Sequence, residues 1–190
     1  MVVGASAGGF TALERLLCDL PAGFPAAVLV VLHLQPDRTS LLASLLARHA
    51  SMPLKWAVDE EAIQAGTVYV AVPNFHLEAV DGRIRLTKSA VVHFTRPAVD
   101  RLFESVAADY GARTVGVVLS GSGVDGADGV VAIRRAGGTT IAQTPGDAAY
   151  PGMPQAAIAT GCVDLVVPLA DVARALVALR SAPGATPAEG

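Results

Sequence analysis

Short apolar, β-branched runs alternate along this chain with segments in which apolar positions recur every three or four residues. The first pattern is that of buried strands and the second that of amphipathic helices. Residues 26–32, 67–72, 114–119, 139–142 and 163–167 are expected to be strands, with a further strand at the very start of the chain. Helices are predicted over 8–19, 39–49, 97–110, 127–135, 154–159 and 169–179, several opened by Pro or Thr in the first turn. Strict alternation of this kind implies an α/β fold, a doubly wound and mostly parallel sheet with helices on both faces. One stretch departs from it. Asp81-Gly82 lies between Leu77-Glu78-Ala79-Val80 and Arg83-Ile84-Arg85-Leu86, two period-two segments joined by a turn dipeptide, so a local antiparallel hairpin is expected.

The chain has 190 residues, of which 52% are hydrophobic, enough for one well-buried domain. That domain is assigned to residues 1–180, with a frayed Ala, Pro and Gly-rich tail over 181–190. A net charge of −3 without a basic cluster argues against a nucleic-acid partner. Apolar runs are strand-sized and the first residues lack a basic leader, so neither membrane insertion nor export is expected and the location read from sequence is cytoplasmic. Cys18 and Cys162 are far apart and outside any C-x-x-C spacing, which suits reduced, packed thiols. No two histidines have the i, i+4 spacing of a zinc helix; neither metal nor cofactor is expected. His49 and His93 are expected at the surface or at helix ends, and Asp59, Glu60 and Glu61 form an acidic run that fits a solvated turn.

Sites in parallel α/β sheets form beyond the carboxyl ends of the strands, so polar residues just after apolar runs are the ones to examine. Ser6 follows the first strand, in the elbow Gly4-Ala5-Ser6-Ala7-Gly8-Gly9. His33 ends the run from Val28 to Leu32, and Asp125 lies in the loop after Val117-Val118-Leu119. All three are thus expected on one rim. A serine hydroxyl becomes nucleophilic when an imidazole accepts its proton, and a carboxylate fixes the tautomer of that imidazole. The order Ser, His, Asp differs from those of chymotrypsin, subtilisin and the α/β hydrolases, but geometry rather than order defines a triad.

Blander readings of the same residues exist. A glycine-rich turn after a first strand also suits a dinucleotide phosphate, although no acidic residue ends the second strand to hold a ribose and no Lys follows Gly9. His33 taken alone fits a structural histidine, and Asp125 taken alone fits an N-cap of the helix that begins at 127.

Several separated motifs, in order, resemble the catalytic domain of CheB-type chemotaxis methylesterases. They are the Ser6 elbow, Val31-Leu32-His33-Leu34-Gln35-Pro36, Val70-Ala71-Val72-Pro73, Arg96-Pro97-Ala98-Val99-Asp100-Arg101-Leu102-Phe103, Leu119-Ser120-Gly121-Ser122-Gly123-Val124-Asp125-Gly126-Ala127 and Tyr150-Pro151-Gly152-Met153-Pro154. The resemblance implies a serine hydrolase that demethylates glutamate methyl esters on chemoreceptors, and deamidates glutamine, with Ser6 as nucleophile, His33 as base and Asp125 as orienting carboxylate. Backbone amides near Ala7 and Ser122 are implied as oxyanion donors. Two departures bear on activity: Ala7 stands where the family often has Thr, and Val124 where it has Asn. The phosphoacceptor receiver domain typical of the family has no counterpart in these residues. A catalytically silent, receptor-binding scaffold of the same fold is the alternative expectation.

Overall fold

A computed structural model describes residues 1–33 and 41–181. The first strand, β1 (Val2–Ala5), leads into α1 (Gly9–Asp19), and β2 (Val28–Leu32) is followed by α2 (Leu42–Ala47) and β3 (Leu54–Trp56). Then come β4 (Val68–Val70), the hairpin strands β5 (His76–Val80) and β6 (Arg83–Thr87), and α3 (Val99–Tyr110) with a short 3-10 turn, Gly111–Arg113. The remainder alternates: β7 (Val115–Val118), α4 (Ala127–Arg135), β8 (Thr139–Gln143), α5 (Gly152–Ala159), β9 (Leu165–Val167) and α6 (Leu169–Ser181). Residues 39–40 of the expected second helix and 182–190 of the expected tail lie outside the described residues, as do Leu34, Gln35 and Pro36.

Seven strands form one sheet in the order β3-β4-β2-β1-β7-β8-β9, and every neighbouring pair is parallel. Side-chain alternation along the buried strands divides the core in two. Val3, Ala5, Val28, Val30 and Leu32 face one way, against Leu13, Leu16 and Leu17 of α1, Leu42 and Leu46 of α2 and Val172 and Leu176 of α6. Val2, Leu29 and Val31 face the other way, against Leu102, Phe103 and Val106 of α3 and Val130 and Ile133 of α4. The doubly wound reading therefore holds. β3 went unforeseen because a three-residue edge strand containing Lys55 is too short and too polar to show as an apolar run.

The hairpin is present with the expected register, Leu77 opposite Leu86 and Val80 opposite Arg83. Asp81 and Gly82 both have positive φ, 51° and 71°, as a type I′ turn requires. The acidic run beside it is no mere solvated turn: the Asp59 carboxylate accepts the Leu86 N–H, Glu60 pairs with Arg85 and Glu61 with Lys55. It pins the hairpin to the main sheet. Cys18, expected to be packed, is exposed, and both cysteines are free thiols.

Candidate active site

β1 is the point at which the strand order reverses, because its chain partner β2 lies on one side and β7 on the other. A crevice forms at such a switch point, beyond the carboxyl ends of the strands. Register brings three loops to one level there. Ala5 pairs with Leu32, and Gly4 with Val118, so the next residues of each strand emerge together. Backbone bonds continue the alignment: the His33 N–H donates to Ala5 O at 3.0 Å, Leu119 N–H to Gly4 O at 2.9 Å and Ser6 N–H to Ser120 O at 3.0 Å.

The elbow around Ser6 needs its glycines for room. Gly8, at φ 70°, forms the N-cap of α1, and a Cβ there would lie 2.8 Å from Ser120 Oγ and 2.9 Å from Ala149 Cβ. Ser120 uses its hydroxyl to tie the neighbouring loops together, donating to Ala7 O and accepting the Tyr150 N–H. Ser6 itself sits against Gly121, whose absent Cβ would fall 3.0 Å from Ser6 Cβ. Among the described residues the Ser6 hydroxyl makes no hydrogen bond, and the Ala7 and Ser122 N–H groups meet no protein acceptor.

His33 and Asp125, 92 residues apart in sequence, meet with Nε2 2.7 Å from Oδ2. Since Nε2 faces the carboxylate, Nδ1 is the ring nitrogen left for a second partner. Asp125 is buried and does more than hold His33: Oδ2 also accepts the Val99 N–H at 2.7 Å and lies 3.3 Å from the Thr95 hydroxyl, whose shorter acceptor is Val92 O at 2.8 Å, while Oδ1 accepts the Asp100 N–H at 2.9 Å. Burial alone would push the Asp125 carboxyl up; the His33 bond and the two backbone N–H groups outweigh it and hold the group below its ordinary value. It stays a carboxylate.

As a cap, Asp125 serves a different helix from the one expected. It accepts the first N–H groups of α3, whereas those of α4 go to Asp100, whose Oδ1 accepts Gly126 N–H at 2.9 Å and Gly129 N–H at 2.7 Å. Neither helix caps itself, because the positions before them are Ala98 and Gly126, with no side-chain acceptor. Sequence reasoning missed Asp100, and Gly126 at the N-cap of α4, which has no side-chain acceptor, was the available signal that one arrives from elsewhere. It also missed His93, which is not an idle surface residue: its Nε2 lies 3.0 Å from Asp100 Oδ2.

His93, Asp100 and Asp125 bring their ligand atoms within 4.8 Å of one another. Every carboxylate oxygen in this group already accepts an N–H or ring nitrogen, so the cluster serves as a double helix cap rather than an open cation site. A separate cavity lined by Ala27, Ile63, Tyr110 and Arg113 lies at the amino ends of the strands, away from these residues.

Residues 1–176 match the family model for CheB methylesterase. The chain belongs to the CheB methylesterase family. Its fold superposes on the crystal structure of the Thermotoga maritima CheB methylesterase catalytic domain with a TM-score of 0.90 at 36% identity, covering 94% of this chain and 96% of that one. Two proteins named protein-glutamate methylesterase/protein-glutamine glutaminase 2 and 3 are similar: one from Methanosarcina acetivorans, 37% identical over 185 residues, and one from Anaeromyxobacter dehalogenans, 44% identical over 169 residues. The matches take in 93% and 88% of this chain but 52% and 49% of those proteins, so the CheB-type chain spans about half the length of the curated relatives it matches. No helix among the described residues is long and apolar enough to cross a membrane.

Proposed function

We propose that this chain is the catalytic unit of a protein-glutamate methylesterase, acting on glutamate methyl esters of chemoreceptors in the cytoplasm and deamidating receptor glutamine with the same groups. The observation that carries this reading is the His33–Asp125 pair standing at the level of Ser6 on the switch-point rim. In the proposed reaction Ser6 Oγ attacks the ester carbonyl as His33 Nδ1 takes its proton, and Asp125 stabilises the imidazolium through Nε2. The oxyanion falls to the Ala7 and Ser122 N–H groups. The C–O bond of the tetrahedral adduct breaks, methanol leaves with the proton returned by His33, and water repeats the sequence on the acyl-enzyme to release a carboxylate. With a glutamine substrate the leaving group is ammonia.

The cap of α3 needs only the Asp125 carboxylate and gives the His33 imidazole no role, so the intact pair favours the enzyme over a catalytically silent scaffold despite Ala7 and Val124. A serine-directed phosphonate, followed by mass spectrometry, tests the assignment. Labelling is expected at Ser6 in the parent and is lost in His33→Ala, with methanol released from a methylated receptor fragment by the parent alone. A folded parent that neither labels nor releases methanol refutes the esterase.

A further inference from the structure

The methyl group of the proposed ester is too small to identify a protein substrate, so recognition must come from the rim around Ser6. Val92 and Thr95 close a tight turn there, each N–H donating to the other's carbonyl, at 3.2 and 2.8 Å. The two residues between them, His93 and Phe94, have φ of 48° and 62°. That backbone suits Asn-Gly, and a bulky residue in it is strained. Yet Phe94 is 100% exposed, so its ring repays none of that strain within the fold.

The turn is not loose. His93 is bonded to Asp100, and the Thr95 hydroxyl donates to Val92 O at 2.8 Å within the turn and lies 3.3 Å from Asp125 Oδ2, so the turn is closed on itself and rests on the carboxylate pair under the site. Arg96 follows, and its guanidinium donates to Asn74 Oδ1 and to the Lys88 and Ser89 carbonyls, meeting no carboxylate among the described residues. Val124, beside Asp125, and Tyr150, whose carbonyl accepts the Gly121 N–H, add half-exposed apolar surface to the same rim. A strained aromatic tip, braced from below and flanked by an unneutralised cation, is the arrangement of an interface anchor.

Resting on the esterase reading, we propose that Phe94 is the docking residue for the protein substrate: it seats in an apolar seam of the acidic partner and so brings the esterified glutamate to Ser6. The partner is a protein with glutamyl side chains beside that seam, and Arg96 meets their charge.

The experiment compares the parent chain with Phe94→Ser and Phe94→Gly. KM and kcat are measured on an enzymatically methylated chemoreceptor cytoplasmic fragment, kcat/KM on p-nitrophenyl acetate, and fragment affinity directly in a Ser6→Ala background. Both substitutions are expected to raise KM and Kd for the fragment at least tenfold, with a fall on the fragment at least ten times the fall on the small ester. Phe94→Gly is also expected to melt higher than the parent, because it relieves the strained backbone. Unchanged fragment affinity, an equal loss on both substrates, or a fragment that does not bind the parent overturns the proposal. Absent hydrolysis of either substrate by the parent refutes the esterase instead, and fragment affinity still decides the role of Phe94.

Discussion

Asp100 and Asp125 cap each other's helices. The Asp125 carboxylate accepts the backbone N–H of Asp100, and the Asp100 carboxylate accepts that of Gly126, the residue next to Asp125. The exchange is possible because α3 and α4 both begin at the carboxyl edge of the sheet, where their unpaired N–H groups face one another. Positioning the carboxylate for His33 and starting two helices are therefore one structural event.

Asp125→Ala is expected to cost stability as well as activity. It strands the buried N–H groups of Val99 and Asp100, a loss of about 2 kcal/mol for an emptied cap. Ser6→Ala, whose hydroxyl makes no bond among the described residues, should shift stability by less than about 0.5 kcal/mol. Urea denaturation of the two variants separates them; equal midpoints would contradict the capping role.

Asp100→Asn keeps an acceptor oxygen for Gly126 and Gly129, and Asp100→Ala does not. The alanine variant is expected to unfold about 1–2 kcal/mol more easily than the asparagine variant. Because α4 starts beside Asp125, the alanine variant should also lose kcat more than affinity for substrate. A pair of variants with matching denaturation curves and matching kcat would remove Asp100 from the positioning of the site.

Burial, reinforced by the charge of Asp125 and only partly offset by the Gly129 N–H, raises the Asp100 carboxyl from 3.8 to about 6. Between those values the folded state binds more protons than the unfolded one, so this group lowers stability as pH rises through the window of about 4 to 6. Asp125 has the opposite sign: its depressed carboxyl adds stability above its ordinary value, and that is lost as pH falls through the folded one. Melting temperature against pH should thus decline less across the upper window in Asp100→Asn than in the parent. His93 faces Asp100 there, and His93→Gln serves as the control for that contact.

His33→Gln retains a group that can reach Asp125 in place of Nε2 but has nothing at Nδ1 to take the serine proton. Its expected behaviour is near-parental stability with kcat reduced by roughly 10⁴-fold. Activity within tenfold of the parent would mean that Nδ1 is not the base.

Gly121→Ala drives a methyl into Met153 Sδ and places it 2.9 Å from Met153 Cγ and 3.0 Å from Ser6 Cβ. Met153 must shift and Ser6 must give by a few tenths of an ångström, short of the ~1 Å misplacement that costs a hundredfold, so kcat is expected to fall by roughly tenfold. Phosphonate labelling rates report this directly, and an unchanged rate would show that Met153 alone gives way.

Strands and helices were legible because the parallel sheet is covered on both faces, which leaves β-branched runs such as Val28–Leu32 bounded by helical periodicity. The rim positions of Ser6, His33 and Asp125 followed from the same logic, since each stands just past an apolar run. Asp125 was also readable as a cap, but for the wrong helix: sequence adjacency suggested α4, and the partner is α3. Asp100 and His93 carried no such local sign, as their bonds are made to residues brought near by packing.

By itself the sequence determined the alternation of elements, the hairpin at Asp81-Gly82, the serine elbow and the residues at the strand ends, because each depends on periodicity or turn chemistry within a few positions. Only the tertiary structure decided the strand order that puts β2 and β7 on either side of β1, the ring nitrogen that His33 turns to Asp125, the exchange of caps between Asp100 and Asp125 and the full exposure of Phe94. Those depend on which groups come to lie within a few ångströms of one another across tens of residues, and local propensity carries no information about that.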